Sequence, residues 1–232
     1  MTTELTEVRD RLSGRPGLRK MHASHSYWAV LGAIFVGFFF AALAPNESWA
    51  TSVLVLIQSG TLLLALWTAG WTASDRVISF GLAVAGAAGA MANLVWQGND
   101  LTAALSLFAG VLTIAIAVVI AAGAVAQGEV NIKSVGGAIC VYMLIGMVFL
   151  FAYGAVAALG SGPFFAQGTD GTRPVRLYFS FVTLATLGYG DYTPADNLGH
   201  TLAILEALLG QLYLVTVVAV VVSRLGRSRR EP

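Results

Sequence analysis

The chain has 232 residues, of which 57% are hydrophobic and only 11% are charged, and its formal net charge is +1. Because globular domains carry about 25% charged residues, this composition excludes an ordinary soluble domain and predicts a membrane protein. The near-zero charge excludes a bulk attraction to nucleic acid, and the single cysteine, Cys140, excludes an intrachain disulfide.

Residues 1–26 are predicted to form a polar, basic arm on the cytosolic side of the membrane. The segment contains five basic residues, and Gly14, Pro16 and Gly17 interrupt any long helix within it. Basic segments beside a membrane are attracted to anionic lipid headgroups. We therefore expect the arm to lie in the cytosol, close to the bilayer surface.

Six apolar runs of 18 to 26 residues follow, and each can cross about 30 Å of hydrocarbon as a helix. The first four form a predicted transmembrane bundle, residues 27–126, and the last two belong to a second module, residues 135–222. Residues 223–232 form a short basic cytosolic tail. The predicted fold class is an all-α membrane protein with six transmembrane helices. The predicted spans are Tyr27–Ala44, Trp49–Trp71, Val77–Trp96, Leu101–Ala126, Val135–Leu159 and Gly199–Val222.

The lysines and arginines predict the orientation of these spans. If both termini are cytosolic, eleven of the thirteen basic residues lie on the cytosolic side, and only Arg173 and Arg176 lie outside. An excess of lysine and arginine is typical of cytosolic loops. The sequence therefore predicts a multi-pass protein of the cell membrane with both termini in the cytosol and residues 160–198 on the outer side.

The bundle carries no arginine or lysine within its four predicted spans. Membrane potential moves a helix only through its charges, at about 2.3 kcal/mol per charge per 100 mV. The bundle is therefore not expected to sense voltage by moving basic residues. Its polar residues Gln58 and Asn93 are expected to make hydrogen bonds between helices, with a small-ligand site as the alternative. Because the link 127–134 is short, each bundle is predicted to pack on its own chain's second module.

The segment between the fifth and sixth spans, residues 160–198, begins with a short predicted helix. Pro174 suits the first turn of a helix, and Pro174–Ala185 gives about three turns, which are too few to span the membrane. Such a helix, followed by irregular backbone, is stable at membrane depth only inside protein or beside water. We therefore predict a re-entrant helix whose negative dipole end points to the membrane centre, where it favours a cation.

A glycine pattern follows this helix in residues Thr186–Gly190. Gly188 and Gly190 can take backbone angles that are barred to other residues. Alternating such angles turns successive carbonyl oxygens to one side, where a row of oxygens can replace the water of a dehydrated cation. One chain supplies one row, so the pattern predicts several copies around a symmetry axis.

The sequence from Thr183 to Asp191, TLATLGYGD, resembles the potassium-channel selectivity filter, T-x-x-T-x-G-Y-G-D. The wider block YFSFVTLATLGYGDYTP is similar to the pore loop of prokaryotic tetrameric potassium channels, and the resemblance covers about residues 135–222. It implies four identical chains that hold potassium ions in the filter, with no other cofactor. The implied potassium ligands are the Thr186 hydroxyl and the main-chain oxygens of Thr186, Leu187, Gly188 and Tyr189.

By the same resemblance, Gly190 shapes the outer mouth, and Asp191 lies behind the filter and hydrogen-bonds the pore helix. Thr183 and Tyr178 are expected to support the filter as well. Tyr178 stands where many relatives have tryptophan, and its hydroxyl is still expected to reach Asp191. Leu187 stands where valine is usual, which implies only a change in packing.

The sixth span is expected to line the inner pore. Gly210 lies mid-span, where the family often has a hinge glycine, and plain helix packing is the equal alternative. Glu206 is the only acid inside any span, and an intramembrane carboxylate costs about 2.5–3.5 kcal/mol. We expect it to make a structural hydrogen bond near the pore helix and not to face the ion. Val217, Val218 and Val221 are predicted to line a narrow inner gate.

These features predict a homotetrameric, potassium-selective channel that conducts passively and is not voltage-gated through charged helices. The alternatives are a weakly selective cation channel, a subunit of a potassium uptake transporter, and a non-conducting membrane sensor. The expected partners are further copies of the chain, the lipid bilayer and potassium, with a regulatory partner protein left open. Because no nucleophile–base pair, cysteine–histidine cluster or phosphate-binding loop is evident, no enzymatic activity is predicted.

Overall fold

Seven helices account for most of the residues that the computed structural model describes, which are 26–69, 73–96, 99–126 and 132–219. Within these ranges the chain is all-helical and has no strand. The predicted cytosolic arm, except Ser26, and the basic tail lie outside the described residues, as does Val221 of the predicted gate. The helices are α1 (Ser26–Leu43), α2 (Ser48–Ala69), α3 (Ala73–Trp96), α4 (Asn99–Ala126), α5 (Ile132–Leu159), α6 (Arg173–Leu184) and α7 (Asn197–Tyr213).

Five of these helices, α2, α3, α4, α5 and α7, are long and apolar enough to cross a membrane. The first helix contributes a shorter apolar stretch, Trp28–Leu43, so the count of six spans stays a prediction. Helix α7 continues into a π-helical turn, Leu214–Val218. The all-helical membrane fold predicted from composition is thus confirmed for the described part of the chain.

One continuous apolar cluster joins the bundle to α5 and α6. It contains buried residues from both regions, such as Leu54 of α2, Leu112 of α4, Leu144 of α5 and Leu177 of α6. Aromatic packing adds to this contact, since the ring of Phe38 in α1 lies edge-on to Phe181 in α6 with centroids 5.0 Å apart. Within one chain, the bundle therefore packs directly on the helices that carry the glycine motif. The division into two modules and the absence of bundle exchange between copies stay predictions.

Buried polar side chains connect the helices of the bundle, as the sequence predicted. Gln58 in α2 donates through Nε2 to Thr113 Oγ1 in α4 at 2.7 Å. Asn93 in α3 donates to Ser52 Oγ at 3.0 Å and accepts from Thr102 Oγ1 at 2.9 Å. Because a polar group without a partner is costly in an apolar interior, these bonds explain why the Asn93 amide and the Gln58 Nε2 group are tolerated. The buried Gln58 Oε1 atom has no hydrogen-bond partner among the described residues. The prediction of hydrogen bonds between helices is confirmed for Gln58 and Asn93.

The loop between α5 and α6 is held against the segment that follows the glycine motif. Ala166 N donates to the Thr193 carbonyl, and Ala195 N donates to the Phe164 carbonyl, both at 2.8 Å. Phe164 and Phe165 are buried beside these bonds in a second cluster of mostly aromatic residues. This arrangement anchors the chain after the motif to the loop that precedes α6. The other buried members of the cluster are Phe149, Tyr153 and Phe179.

Candidate functional site

The start of helix α6 is set by two local signals in the sequence, and the helix is short. Thr172 is the N-cap, and its side chain accepts a hydrogen bond from Val175 N, while Pro174 occupies the first turn. The helix has 12 residues, which gives it a length of about 18 Å, too short to cross the hydrocarbon of a bilayer. The predicted bounds, Pro174–Ala185, differ from the observed ones by one residue at each end.

The main-chain N–H groups of the residues after α6 donate to carbonyl oxygens in its last turn. Ala185 N donates to the Phe181 carbonyl at 3.0 Å. Thr186 N donates to the Thr183 carbonyl and Leu187 N to the Val182 carbonyl, both at 2.9 Å. Hydrogen bonds therefore join the helix end directly to the start of the glycine motif, and the main-chain oxygen of Thr183 accepts one of them.

The backbone of residues 186–190 alternates in handedness. Thr186, Gly188 and Gly190 have positive φ angles of 55°, 59° and 78°, whereas Leu187 and Tyr189 between them do not. Thr186 is the single non-glycine residue with a positive φ in the described part of the chain, and that conformation costs about 1–2 kcal/mol for an L-residue. Such alternation is the geometry that the sequence predicted for a row of carbonyl oxygens facing one side.

The side chain of Thr186 has a partner that was not predicted from the sequence. Gln211 in α7 donates through Nε2 to Thr186 Oγ1 at 2.8 Å. This bond connects the last turns of α7 to the start of the motif. A signal was present in the sequence, because Gln211 is an uncharged amide next to Gly210 in an otherwise apolar run.

Tyr178 of α6 and Asp191, the residue after the motif, are in contact, as the resemblance implied. Tyr178 Oη donates to Asp191 Oδ2 at 2.8 Å, and its ring is nearly parallel to that of Tyr189, with an interplanar angle of 8°. The hydrogen bond to Asp191 raises the pKa of Tyr178 to about 12. Since this pKa is raised, the contact is complete below the ordinary tyrosine pKa and is lost only as the pH rises through about 12.

Changing Tyr178→Phe is expected to destabilise the motif without preventing folding, because the phenyl ring keeps its packing but cannot donate to Asp191. In a purified channel, we expect potassium flux to decline several-fold faster after opening. Tyr178→Trp is the control, since its indole N–H restores a donor. Single-channel recording of the two variants would measure how fast the current declines after opening. If the current declined equally fast in Tyr178→Phe and in the wild type, a supporting role of Tyr178 would be contradicted.

Glu206 joins three helices from a fully buried position in α7. Its carboxyl group contacts Tyr153 Oη of α5 and Ser180 Oγ of α6, both at 2.5 Å. Ser180 Oγ also lies 2.7 Å from the Gly146 carbonyl of α5. Glu206 thus makes side-chain contacts with α5 and α6, while its role in supporting a filter stays a prediction. Tyr153 and Ser180 were not singled out from the sequence, and each is an isolated polar residue in an apolar run.

Gly210 lies against the end of α6. A Cβ atom built on Gly210 would overlap the main-chain oxygen of Leu184 and lie 3.0 Å from Leu184 Cδ1. The contact supports the packing alternative, while a hinge at Gly210 stays a prediction. Of the predicted gate residues, Val217 is half-buried in the π-helical turn. Val218 ends that turn, and its side chain lies outside the described part of the structure.

Two comparisons with known proteins found similarity, and the first of them covers this same region. Residues 138–227 match the family model described as an ion channel. The inward rectifier potassium channel Kirbac3.1 of Paramagnetospirillum magnetotacticum is 33% identical over 86 residues, which are 37% of this chain and 28% of that protein. The chain thus spans little more than a quarter of the length of that relative. No solved structure shows significant similarity to the chain.

Proposed function

We propose that this chain belongs to a prokaryotic potassium channel family and forms a homotetrameric channel that conducts potassium passively across the cell membrane; the similarity of residues 138–227 to an ion channel family model and the partial similarity to a potassium channel support this proposal. The observation that carries the proposal is the alternating handedness of the backbone from Thr186 to Gly190. The family relationship indicates a channel and not an enzyme. Potassium selectivity and the tetramer are the parts that we propose.

The exposure of the motif in a single chain supports assembly around an axis. Leu187 and Tyr189 are 58% and 66% exposed, and nothing lies within 4 Å of the space beside Gly188 or Gly190. Irregular backbone is stable at membrane depth only when protein or water surrounds it. Only 11% of the α7 span is buried in one chain, the smallest share among the five spans. Further copies of the chain would cover both surfaces.

In the proposed tetramer, the filter replaces the hydration shell of potassium. Main-chain oxygens of Thr186, Leu187, Gly188 and Tyr189 from four chains would form successive rings of ligands, and the Thr186 hydroxyl would add the innermost ring. The partial negative charge at the C-terminus of α6 would favour a cation below these rings. Potassium is the transported ion here, and the proposal requires no other cofactor.

The proposed gating mechanism does not depend on membrane voltage acting on charged helices. The predicted spans of the bundle carry no lysine or arginine, so opening through moving basic helices is not part of the proposal. Val217, Val218 and Val221 are proposed to form the inner gate. We propose the orientation with both termini in the cytosol, because that orientation places eleven of the thirteen basic residues there.

The proposal is tested by ion flux from liposomes that contain the purified full-length chain. We expect potassium efflux that barium blocks and no sodium efflux under the same gradient. Gly188→Ala is expected to remove this preference, because alanine in a left-handed conformation costs about 1–2 kcal/mol in each subunit. Gly168→Ala is the matched control, since Gly168 has a φ of 77° with open space beside it in the loop before α6.

The alternatives give different results in this assay. Equal fluxes of sodium and potassium would indicate a weakly selective cation channel. Flux that requires a second protein would indicate a subunit of a potassium uptake transporter. Folded protein without flux of either ion would indicate a non-conducting sensor. Each of these results would overturn the proposal, as would chemical cross-linking that stops at fewer than four copies.

A further inference from the structure

A cavity of about 570 Å³ lies between the bundle and the start of α6. Its walls are the segment 46–51 at the start of α2, residues from the first turns of α4, the last turns of α5, and the segment 170–176. The glycine motif lies at the opposite end of α6, so the cavity is separate from the proposed filter. No part of the proposed conduction mechanism uses this cavity.

Arg173 is a buried cation on the wall of this cavity, with a side chain that is 7% exposed. Its Nη2 group donates to Thr51 Oγ1 at 2.5 Å, and its main-chain N donates to Asn46 Oδ1 at 3.3 Å. The Nη1 group is buried and makes no hydrogen bond. A buried guanidinium costs several kcal/mol unless an anion compensates it, and Thr51 and Asn46 provide no negative charge.

Arg176 places a second guanidinium on the same wall. Its Nη1 group donates to the carbonyls of Asp170 and Gly171 at 3.1 and 2.7 Å, and its buried Nε makes no hydrogen bond. Burial lowers the pKa of Arg173, and the nearby charge of Arg176 lowers it further. Within the described part of the chain, neither arginine forms an ion pair with a carboxylate. Among the described residues, therefore, neither cation has a contacting counter-ion.

The carboxylates on the cavity wall have other hydrogen-bond partners. Glu47 accepts from Trp49 Nε1 at 2.6 Å, and Asp170 accepts from the main-chain N of Phe164 at 2.9 Å. Asp170 acts on Arg176 only through a longer-range attraction, which partly opposes the lowering of the Arg176 pKa by burial. The lining also contributes the hydroxyl groups of Ser48, Thr51 and Ser106, and the N-terminus of α6 adds a partial positive charge.

We propose that this cavity binds a phosphate group, either that of a phospholipid headgroup or free phosphate, through Arg173 and Arg176. The planar guanidinium fork matches two phosphate oxygens, and hydroxyl donors can satisfy the others. Because α2 and α4 form one wall and α6 the other, the bound phosphate joins the bundle to the pore helix. The bound phosphate would thereby couple movements of the bundle to the proposed filter, although the bundle has no voltage-sensing charges.

Binding is tested on the full-length, detergent-solubilised protein by the midpoint of thermal unfolding, followed by tryptophan fluorescence. One series adds phosphatidylglycerol, a second adds inorganic phosphate, and the controls add a phosphate-free glycolipid or potassium chloride at matched ionic strength. We expect the midpoint to rise in at least one phosphate series and in neither control. A rise with lipid alone identifies a headgroup as the ligand, and a rise with both identifies phosphate itself.

Variants assign the effect to the cavity. Arg176→Gln is expected to weaken phosphate binding about tenfold or more, since it removes a charge-assisted bond. Glu47→Gln is expected to strengthen binding, because it removes a competing negative charge from the same wall. A general effect on folding would not produce opposite signs in these two variants. If Arg176→Gln fails to fold, Arg176→Lys keeps the charge, loses the fork and is expected to bind more weakly than the wild type.

Two results would overturn the proposal. The first is a wild-type midpoint that neither phosphatidylglycerol nor inorganic phosphate raises above its control. The second is unchanged binding in every folded Arg176 variant. Because the readout is binding and not ion flux, these results are independent of whether the chain conducts potassium.

Discussion

Gly210→Val is expected to abolish assembly of a stable channel, and Gly210→Ala is expected to impair it. A Cβ atom at this position would overlap the main-chain oxygen of Leu184 and lie 3.2 Å from its carbonyl carbon. Because Leu184 is the last residue of α6, its backbone cannot move without displacing the adjoining motif. Overpacking costs about 1–3 kcal/mol per site, and a tetramer would carry the cost four times.

The measurement is the unfolding midpoint of the purified assembly together with potassium flux. We expect Gly210→Ala to lower the midpoint by about 5 °C or more and to reduce flux. Gly60→Ala in α2 is the matched control, because Gly60 is an exposed helical glycine with open space beside it. That change is expected to be neutral or slightly stabilising. A stable Gly210→Ala tetramer with altered opening would favour the hinge and contradict the packing role.

Glu206→Ala is expected to destabilise each subunit by about 3 kcal/mol or more, whereas Glu206→Gln is expected to be tolerated. Alanine would leave a cavity and remove the partner of Tyr153 Oη and Ser180 Oγ, both of which are buried. The polar contact that joins α5, α6 and α7 would then be lost. Potassium flux is expected to fall below detection in the alanine variant.

The tolerance of glutamine follows from counting protons. The contacts of Glu206 with Tyr153 and Ser180, and of Ser180 with the Gly146 carbonyl, are three hydrogen bonds. Tyr153 and Ser180 supply two protons, so the third comes from Glu206 in its neutral form, which donates to Ser180. Glutamine presents the same pattern, with a carbonyl that accepts from Tyr153 and an amide that donates to Ser180.

Unfolding midpoints and potassium flux of the two variants would be compared with the wild type in the same liposomes. We expect Glu206→Gln to retain flux within about twofold, since isosteric replacement preserves all three bonds. Loss of assembly in both variants would contradict the neutral carboxyl group. Equal tolerance of alanine would instead show that the three-helix contact contributes little to stability.

The motif region was the most predictable part of the chain because its signals are local. Pro174 indicated the start of α6, and Gly188 and Gly190 indicated the positive φ angles that the structure has at 59° and 78°. Likewise, the length and apolarity of the first five runs indicated helices whose bounds differ by at most four residues from those observed. The sixth run was predicted to end at Val222, which lies outside the described residues, and the α-helix there gives way to a π-helical turn after Tyr213. Thr186 shares the left-handed conformation without being glycine, and nothing in its residue type indicates this.

Contacts between distant segments could not be predicted in the same way. Tyr153 and Ser180 lie 53 and 26 positions from Glu206, and their meeting depends on how three helices are rotated about their axes. The packing role of Gly210 was open for a related reason, since a hinge and a close helix contact both favour glycine. Arg173 was expected only as an outer charge, and its burial depends on where the bundle packs.

The apolar cluster shared by the bundle and the pore helices has a consequence for biosynthesis. Because Leu112, Leu144 and Leu177 belong to one cluster within a single chain, a newly inserted chain can complete that interior before it meets another copy. The surfaces left unfinished are the exposed Leu187 and Tyr189 and the open flank of α7. In the proposed tetramer, association is then expected to be a late, concentration-dependent step between folded subunits. Substitutions confined to the exposed side of α7 are expected to leave stable monomers in the membrane. Such monomers are not expected to be degraded as misfolded chains.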